Sequence, residues 1–193
     1  MNKNITKEEI ANFDNEEFKG RIYVIDNLND SEKAVAYLSE FKRLGFDTET
    51  RPSFRKGSLN CIALLQLSTD SRCFLFRLCA IDFPDSLIRL LSNPNIQKIG
   101  LSLKDDFVSM SRRMQFAPQG FVDLQKVVKQ HDIEVFSLQK IYALLFRKKI
   151  SKNQRLSNWE ADVLSEPQKK YAALDAWACL KIYEKLCPIN KSI

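Results

Sequence analysis

Histidine is almost missing from this chain of 193 residues: there is one, His131, against 30 basic and 24 acidic residues. A single imidazole excludes His-rich metal sites and argues against a Ser/His/Asp triad. His131 itself lies near the end of an expected helix, in "VVKQHDIEVF", and reads as a solvent-facing loop residue. No apolar run approaches the length of about 18 residues needed to span a bilayer, so no transmembrane helix is expected. The stretch "MNKNITKEEI" lacks the apolar core of a signal peptide. The five cysteines (Cys61, Cys73, Cys79, Cys179, Cys187) are odd in number and contain no C-x-x-C pair, which argues against a zinc site. Several fall within apolar runs, where a thiol behaves as a small hydrophobe, and the expectation is reduced thiols in a cytoplasmic protein. Repeats, low-complexity tracts and interdomain linkers are absent as well.

What remains is 45% hydrophobic and 28% charged, which suits a single domain over residues 1–193 with a sizeable core. The net charge of +6 and pI near 9.0 are compatible with a polyanionic partner.

Periodicity predicts a helix over residues 6–19, a strand at 21–26, and a helix over "DSEKAVAYLSEF" capped by Asp30 or Ser31. "RLGFDTE" (43–49), "NCIALLQLST" and "RCFLFRL" read as strands, the last two joined by a turn at Thr69–Ser71. A helix begins with Pro84 in its first turn, "IQKIGLS" (96–102) forms a short strand, and "KDDFVSMSRRM" forms another helix. Further helices cover 123–130, 137–146 and about 167–187. The last has Ser165 as N-cap, Gln168 as its capping-box partner and Pro167 in the first turn. This order of elements predicts an α/β fold with a mixed central sheet and helices on its faces.

Acids recur where this pattern expects a core face. Asp47 and Glu49 end a strand and, two apart, share a side of it. Asp105 or Asp106 follows "KIGLSLK". Asp175 stands on the last helix, four residues after Tyr171 and on the same face, with the small Ala172 and Ala173 between them allowing close approach to the sheet. Converging carboxylates raise one another's pKa and destabilise a fold unless a cation resolves the conflict. An all-oxygen ligand set selects hard ions, Mg²⁺ or Mn²⁺. Two such ions roughly 3.5–4 Å apart are the usual apparatus of phosphodiester hydrolysis.

The segments "FDTE", "KIGLSLKDDF" and "LSNWEADVLSEPQKKYAALDAWACLKIY" resemble the three exonuclease motifs of the DEDD superfamily in its tyrosine-containing branch. The nearest resemblance is to the Werner-type 3′→5′ exonuclease domain, with ribonuclease D more distant, and it covers about residues 22–187. It implies a ribonuclease H-like mixed sheet flanked by helices. It further implies that Asp47 and Glu49 bind two divalent cations, with Asp47 bridging them, and that Asp175 completes the first site. Asp106, six residues after Gly100, is chosen over Asp105 as the acid of the second motif, acting partly through water. Tyr171 is cast as the residue that holds the attacking water. The activity implied is metal-dependent release of nucleoside monophosphates from nucleic-acid 3′ ends, DNA favoured over RNA. One departure from the pattern is Thr50-Arg51 where Werner-type domains often carry an aromatic soon after D-x-E; Phe54 is the candidate to replace it.

Gripping a flexible polyanion calls for cations and stacking surfaces. The candidates are Arg51, Phe54, Arg55 and Lys56 after the first motif, and Lys148, Lys149, Lys152 and Arg155 in "RKKISKNQR". Trp159 and Trp177 read as core anchors. Two rival readings stand beside this one. The first is ribonuclease D-like RNA trimming, against which the lack of a further helical domain after residue 193 is set. The second is a catalytically dead nucleic-acid-binding adaptor, against which all four acids and the tyrosine are set.

Overall fold

A computed structural model describes residues 3–51, 61–115 and 117–188. Its strands are β1 (Arg21–Ile25), β2 (Arg43–Thr50), β3 (Ile62–Ser68), β4 (Arg72–Arg77), β5 (Gln97–Gly100) and β6 (Phe121–Asp123). Its helices are α1 (Lys7–Ala11), α2 (Leu28–Leu38), α3 (Leu78–Ile81), α4 (Asp85–Leu91), α5 (Lys104–Ser111), α6 (Leu124–Gln130), α7 (Leu138–Phe146) and α8 (Glu166–Leu186). The strands form one sheet in the order β1-β4-β3-β2-β5-β6. β3 runs antiparallel to both its neighbours, and the other pairs are parallel. The mixed sheet flanked by helices is the architecture that the sequence predicts.

β3, "IALLQLS", is buried along its whole length because helices cover both faces of the sheet. One core gathers Leu44, Phe46, Leu65 and Leu67 with α2 and α4; the other gathers Ala63, Leu64 and Ile99 with α6, α7 and α8. The β2–β3 register shifts after Glu49, which faces Leu64, while Thr50 faces Ile62. The extra residue, Ala63, makes a bulge, so Ile62 and Leu65 join the same core although three apart. The bulge ends regular pairing immediately beyond the D-x-E pair.

α8 starts as the sequence predicts, with a reciprocal Ser165–Gln168 capping box and Pro167 in its first turn. Other boundaries differ for identifiable reasons. α1 stops at Ala11 instead of reaching residue 19, because the following residues pair with the chain near Lys149: Asn15 and Lys149 form a β-bridge, and the Lys149 amide donates to the Asp14 carbonyl at 3.0 Å. α2 is capped by Asn27, whose side chain accepts from the Asp30 amide at 2.9 Å, and Ser31 is buried inside the helix. Pro84 is the N-cap of α4 and not its first helical residue. α3 and β6 are absent from the predicted elements. β6 follows Gly120, whose φ of +69° turns the chain into the sheet edge, and its three residues are too few to show a period.

Candidate active site

Asp47 and Glu49 stand on the α8 side of β2, alternating with Phe46 in the opposite core. What brings α8 down onto them is a glycine. A Cβ at Gly45 would come within 1.9 Å of the Ala176 carbonyl oxygen, so only a residue without a side chain lets the helix lie this close. Ala172, Ala173 and Ala176 on α8 are all fully buried. The result is that carboxylate oxygens of Asp47, Glu49 and Asp175 all lie within 4.8 Å of one another. Gly45 is a residue that the sequence reading missed; its signal was a glycine inside a strand, two before an acid.

Asp106, in the first turn of α5, is not part of this close triad. It is half-buried and accepts a short hydrogen bond from the Thr48 hydroxyl, which ties α5 to the middle of the D-x-E motif. Asp105 is exposed. Thr48 was also missed, since a threonine between two acids reads simply as a strand former.

Burial and mutual repulsion dominate the electrostatics. Desolvation, followed by the charges of Glu49, Asp175 and Asp106, holds the Asp47 carboxyl well above the usual carboxylate range. Burial and then Asp175 and Asp106 push Glu49 up to about 8. Asp175 is pushed up to about 7 by burial, opposed by the Tyr171 hydroxyl and by Lys152; Asp106 reaches about 6, again through burial, with Thr48 pulling the other way. The Tyr171 phenol is raised by burial and by Asp175 and Glu49, so at neutral pH it keeps its proton and acts as a donor facing Asp175. Its ring lies 6.0 Å from that of Trp159, which is fully buried.

No Lys or Arg among the described residues forms an ion pair with any of the four acids, and Asp175 Oδ1 is buried without a hydrogen-bond partner. Three crowded carboxyl groups, one of them with an unsatisfied oxygen, fit a hard divalent cation.

The expected nucleic-acid contacts divide. Lys152 and Arg155 are exposed, and their charges act on Asp175 and Glu49. Lys149 turns the other way, its ammonium donating to the Ala11 carbonyl at 2.9 Å. Lys148 is half-buried. Arg51 pairs with Glu160 at 3.4 Å on the surface. Phe54, Arg55 and Lys56 lie outside the described residues. Trp177 is only partly buried, and its indole donates to the Asp70 carbonyl at 3.2 Å.

Residues 22–190 match the 3'-5' exonuclease family. The chain belongs to that family. It is 34% identical over 180 residues to the mouse bifunctional 3'-5' exonuclease/ATP-dependent helicase WRN, an alignment covering 88% of this chain and 13% of that protein. It is 33% identical to exonuclease 3'-5' domain-containing protein 2 of Drosophila melanogaster, covering 86% of this chain and 30% of that one. The chain thus spans less than a third of either relative. In fold, this exonuclease-family domain is similar to the Aedes aegypti Nibbler EXO domain, with a TM-score of 0.78, 20% identity and 86% of each chain covered. It is equally similar to Escherichia coli RNase D, with a TM-score of 0.78, 22% identity, and 85% of this chain and 44% of that one covered. These likenesses place it in the DEDD superfamily and give it the ribonuclease H-like fold.

Proposed function

We propose that this domain hydrolyses the terminal phosphodiester bond at nucleic-acid 3′ ends and releases nucleoside monophosphates. The observation that carries the reading is the convergence of Asp47, Glu49 and Asp175 within 4.8 Å, in a chain of the 3'-5' exonuclease family. Asp47, Glu49, Asp106 and Asp175 are the residues that would hold two Mg²⁺ or Mn²⁺ ions. Bound there, such ions supply an acidified water and a counter-charge for the departing oxygen.

The protein's own groups do the rest. Glu49 and Asp175 come from two elements locked together at Gly45, so their spacing is set by backbone packing and not by side-chain choice. Thr48 holds Asp106 in one orientation. Tyr171, a protonated phenol beside Asp175, orients the attacking water through its hydroxyl, as in the tyrosine branch of the superfamily. Lys152 and Arg155 flank the acids and draw the phosphate backbone toward them.

DNA is the favoured substrate, the preference that the resemblance of the three motifs to the Werner-type exonuclease domain implies. RNA is the second reading, and the observation behind it is the fold shared with the Trypanosoma brucei RNase D solved in complex with RNA U12, at a TM-score of 0.77. The test is to incubate 5′-labelled DNA and RNA strands of one sequence with the protein in Mg²⁺, in Mn²⁺ and in chelator. The expected outcome is a ladder shortening from the 3′ end, faster on DNA and abolished by chelator. Cleavage that survives excess chelator would overturn the metal-dependent mechanism, and a faster RNA ladder would reverse the substrate preference.

A further inference from the structure

The middle of β3 holds a polar side chain that the fold leaves unsatisfied. Gln66 is 0% exposed, and neither its Nε2 nor its Oε1 has a hydrogen-bond partner. Its neighbours along the strand, Leu65 and Leu67, are ordinary core residues, so packing alone would be served by another apolar side chain here. Buried amides are retained against that cost when they have a partner to meet.

The sheet register identifies the partner. Gln66 stands directly opposite Asp47 in the β2–β3 ladder, and residues so paired share a face, with Cβ atoms about 4.5–5.5 Å apart. The carboxamide therefore lies on the α8 side of the sheet, within reach of the Asp47 carboxylate. Asp175 of the triad, on α8 above this face, also has an oxygen, Oδ1, that is buried without a partner. Among the described residues, Gln66 is the one buried carboxamide left unpaired.

We propose that Gln66 is a positioning residue for the metal centre, its Nε2 donating to the Asp47 carboxylate oxygen turned away from the cations. This rests on the assignment of Asp47 as a metal ligand. A carboxylate offers about four lone-pair sites, so Asp47 can accept this bond and still present its other oxygen to a cation. A neutral amide suits the task because it fixes orientation without cancelling charge, whereas a Lys or Arg in the same place would compete with the cation for the anion. Partners of this kind typically change metal affinity by about 10–100-fold.

Gln66→Met keeps the length of the side chain and deletes the donor; Gln66→Leu is the second variant. Mn²⁺ binding by the whole protein is measured by titration calorimetry, beside the melting temperature in chelator and kcat and KM on a labelled oligonucleotide. The expected result for both variants is an Mn²⁺ affinity about tenfold weaker, a metal-free melting temperature unchanged or raised, and a lower kcat with KM unchanged. Mn²⁺ affinity within twofold of wild type in either variant overturns the proposal, as does a loss of affinity matched by a lowered metal-free melting temperature in both, since that pattern belongs to packing. If the wild-type protein takes up no Mn²⁺, the metal-centre assignment itself falls and this inference with it, a result distinct from equal binding by wild type and variants.

Discussion

The acid cluster and the basic run beside it are built in opposite ways. The acids sit on regular elements, two on β2, one in the first turn of α5 and one on α8, each fixed by a strand or helix period, with β2 and α8 held together at the Gly45–Ala176 contact. The basic run lies in the irregular segment after α7, where no period dictates direction, and its members diverge. Arg147 takes a left-handed conformation, φ +57°, and lays its guanidinium over the Phe13 ring at 4.5 Å, while Lys149 bonds back to Ala11. Lys152 and Arg155 stay exposed, and their charges act on Asp175 and Glu49. Four neighbouring cations of similar composition therefore split between holding the amino-terminal segment and bordering the site. Composition locates a charged segment; only a regular backbone tells which way each side chain turns.

The sharpest test of the rigid side is to remove one ligand charge at a time. Asp47→Asn, Glu49→Gln and Asp175→Asn should each lower kcat by about 10³-fold or more, an effect on the scale of losing a group that stabilises transition-state charge. The metal-free melting temperature should rise, because each variant relieves repulsion among buried anions. Asp106→Asn should be severe and Asp105→Asn mild, since only Asp106 is bound by Thr48 and half-buried. Gly45→Ala should lose activity and stability together, because its methyl group forces α8 off β2 and carries Asp175 away from Asp47. A Gly45→Ala protein with normal kcat would show that the triad tolerates a shifted helix, and the contrast with the loop would weaken.

Tyr171 comes next in size. Tyr171→Phe deletes the hydroxyl facing Asp175 and keeps the ring packed on Trp159, so kcat should fall by about 10–10³-fold with little change in melting temperature. Normal turnover in a destabilised protein would make Tyr171 a core aromatic only.

Protons offer a third handle. Glu49, Asp175 and Asp106 have folded-state pKa values of about 8, 7 and 6, above those of unfolded carboxylates. Between about pH 5 and 8 the folded state thus holds protons that the unfolded chain has released, so metal-free stability is highest at the acid end and falls as pH rises through these values. A tenfold rise in a carboxyl's proton affinity corresponds to about 1.4 kcal/mol, and that to about 3–6 °C for a chain of this length. Allowing for coupling among the acids, the melting temperature in chelator should drop by about 5–10 °C from pH 5.5 to 8. Saturating Mn²⁺ should abolish most of the drop, and Glu49→Gln should reduce it without metal. A flat profile in chelator would mean that the acids are further apart, or better solvated, than their geometry indicates.

How much of this was legible follows the same division. The three motif segments, the mixed sheet and the α8 capping box could be read because each rests on a period or a cap with a fixed spacing. β6 could not, being three residues long and visible only as the partner of β5. The end of α1 could not, because residues 13–18 lose their helical continuation to a pairing with Lys149, more than a hundred positions away in sequence. Gln66 left a trace, one amide in an apolar run, whose meaning depends on the register that places Asp47 opposite it.

The smallest effect tests the loop itself. If Lys152 and Arg155 each meet a phosphate, replacing both with Gln should lower the slope of log K against log salt by about 1.4–1.8, since each phosphate neutralised accounts for about 0.7–0.9. Melting temperature should hold, because both side chains are exposed. Lys149→Met should do the converse. It deletes one hydrogen bond to Ala11, worth about 0.5–1.5 kcal/mol, and so should lower the melting temperature by about 1–6 °C while leaving the salt slope unchanged. Measuring both quantities on both variants separates the two halves of the run. A reduced slope in Lys149→Met would mean that its ammonium leaves Ala11 for the phosphate backbone when substrate binds, and the whole run would then count as one binding surface. An unchanged slope in the double variant would return Lys152 and Arg155 to the solvated surface, with the acids drawing substrate through their bound cations alone.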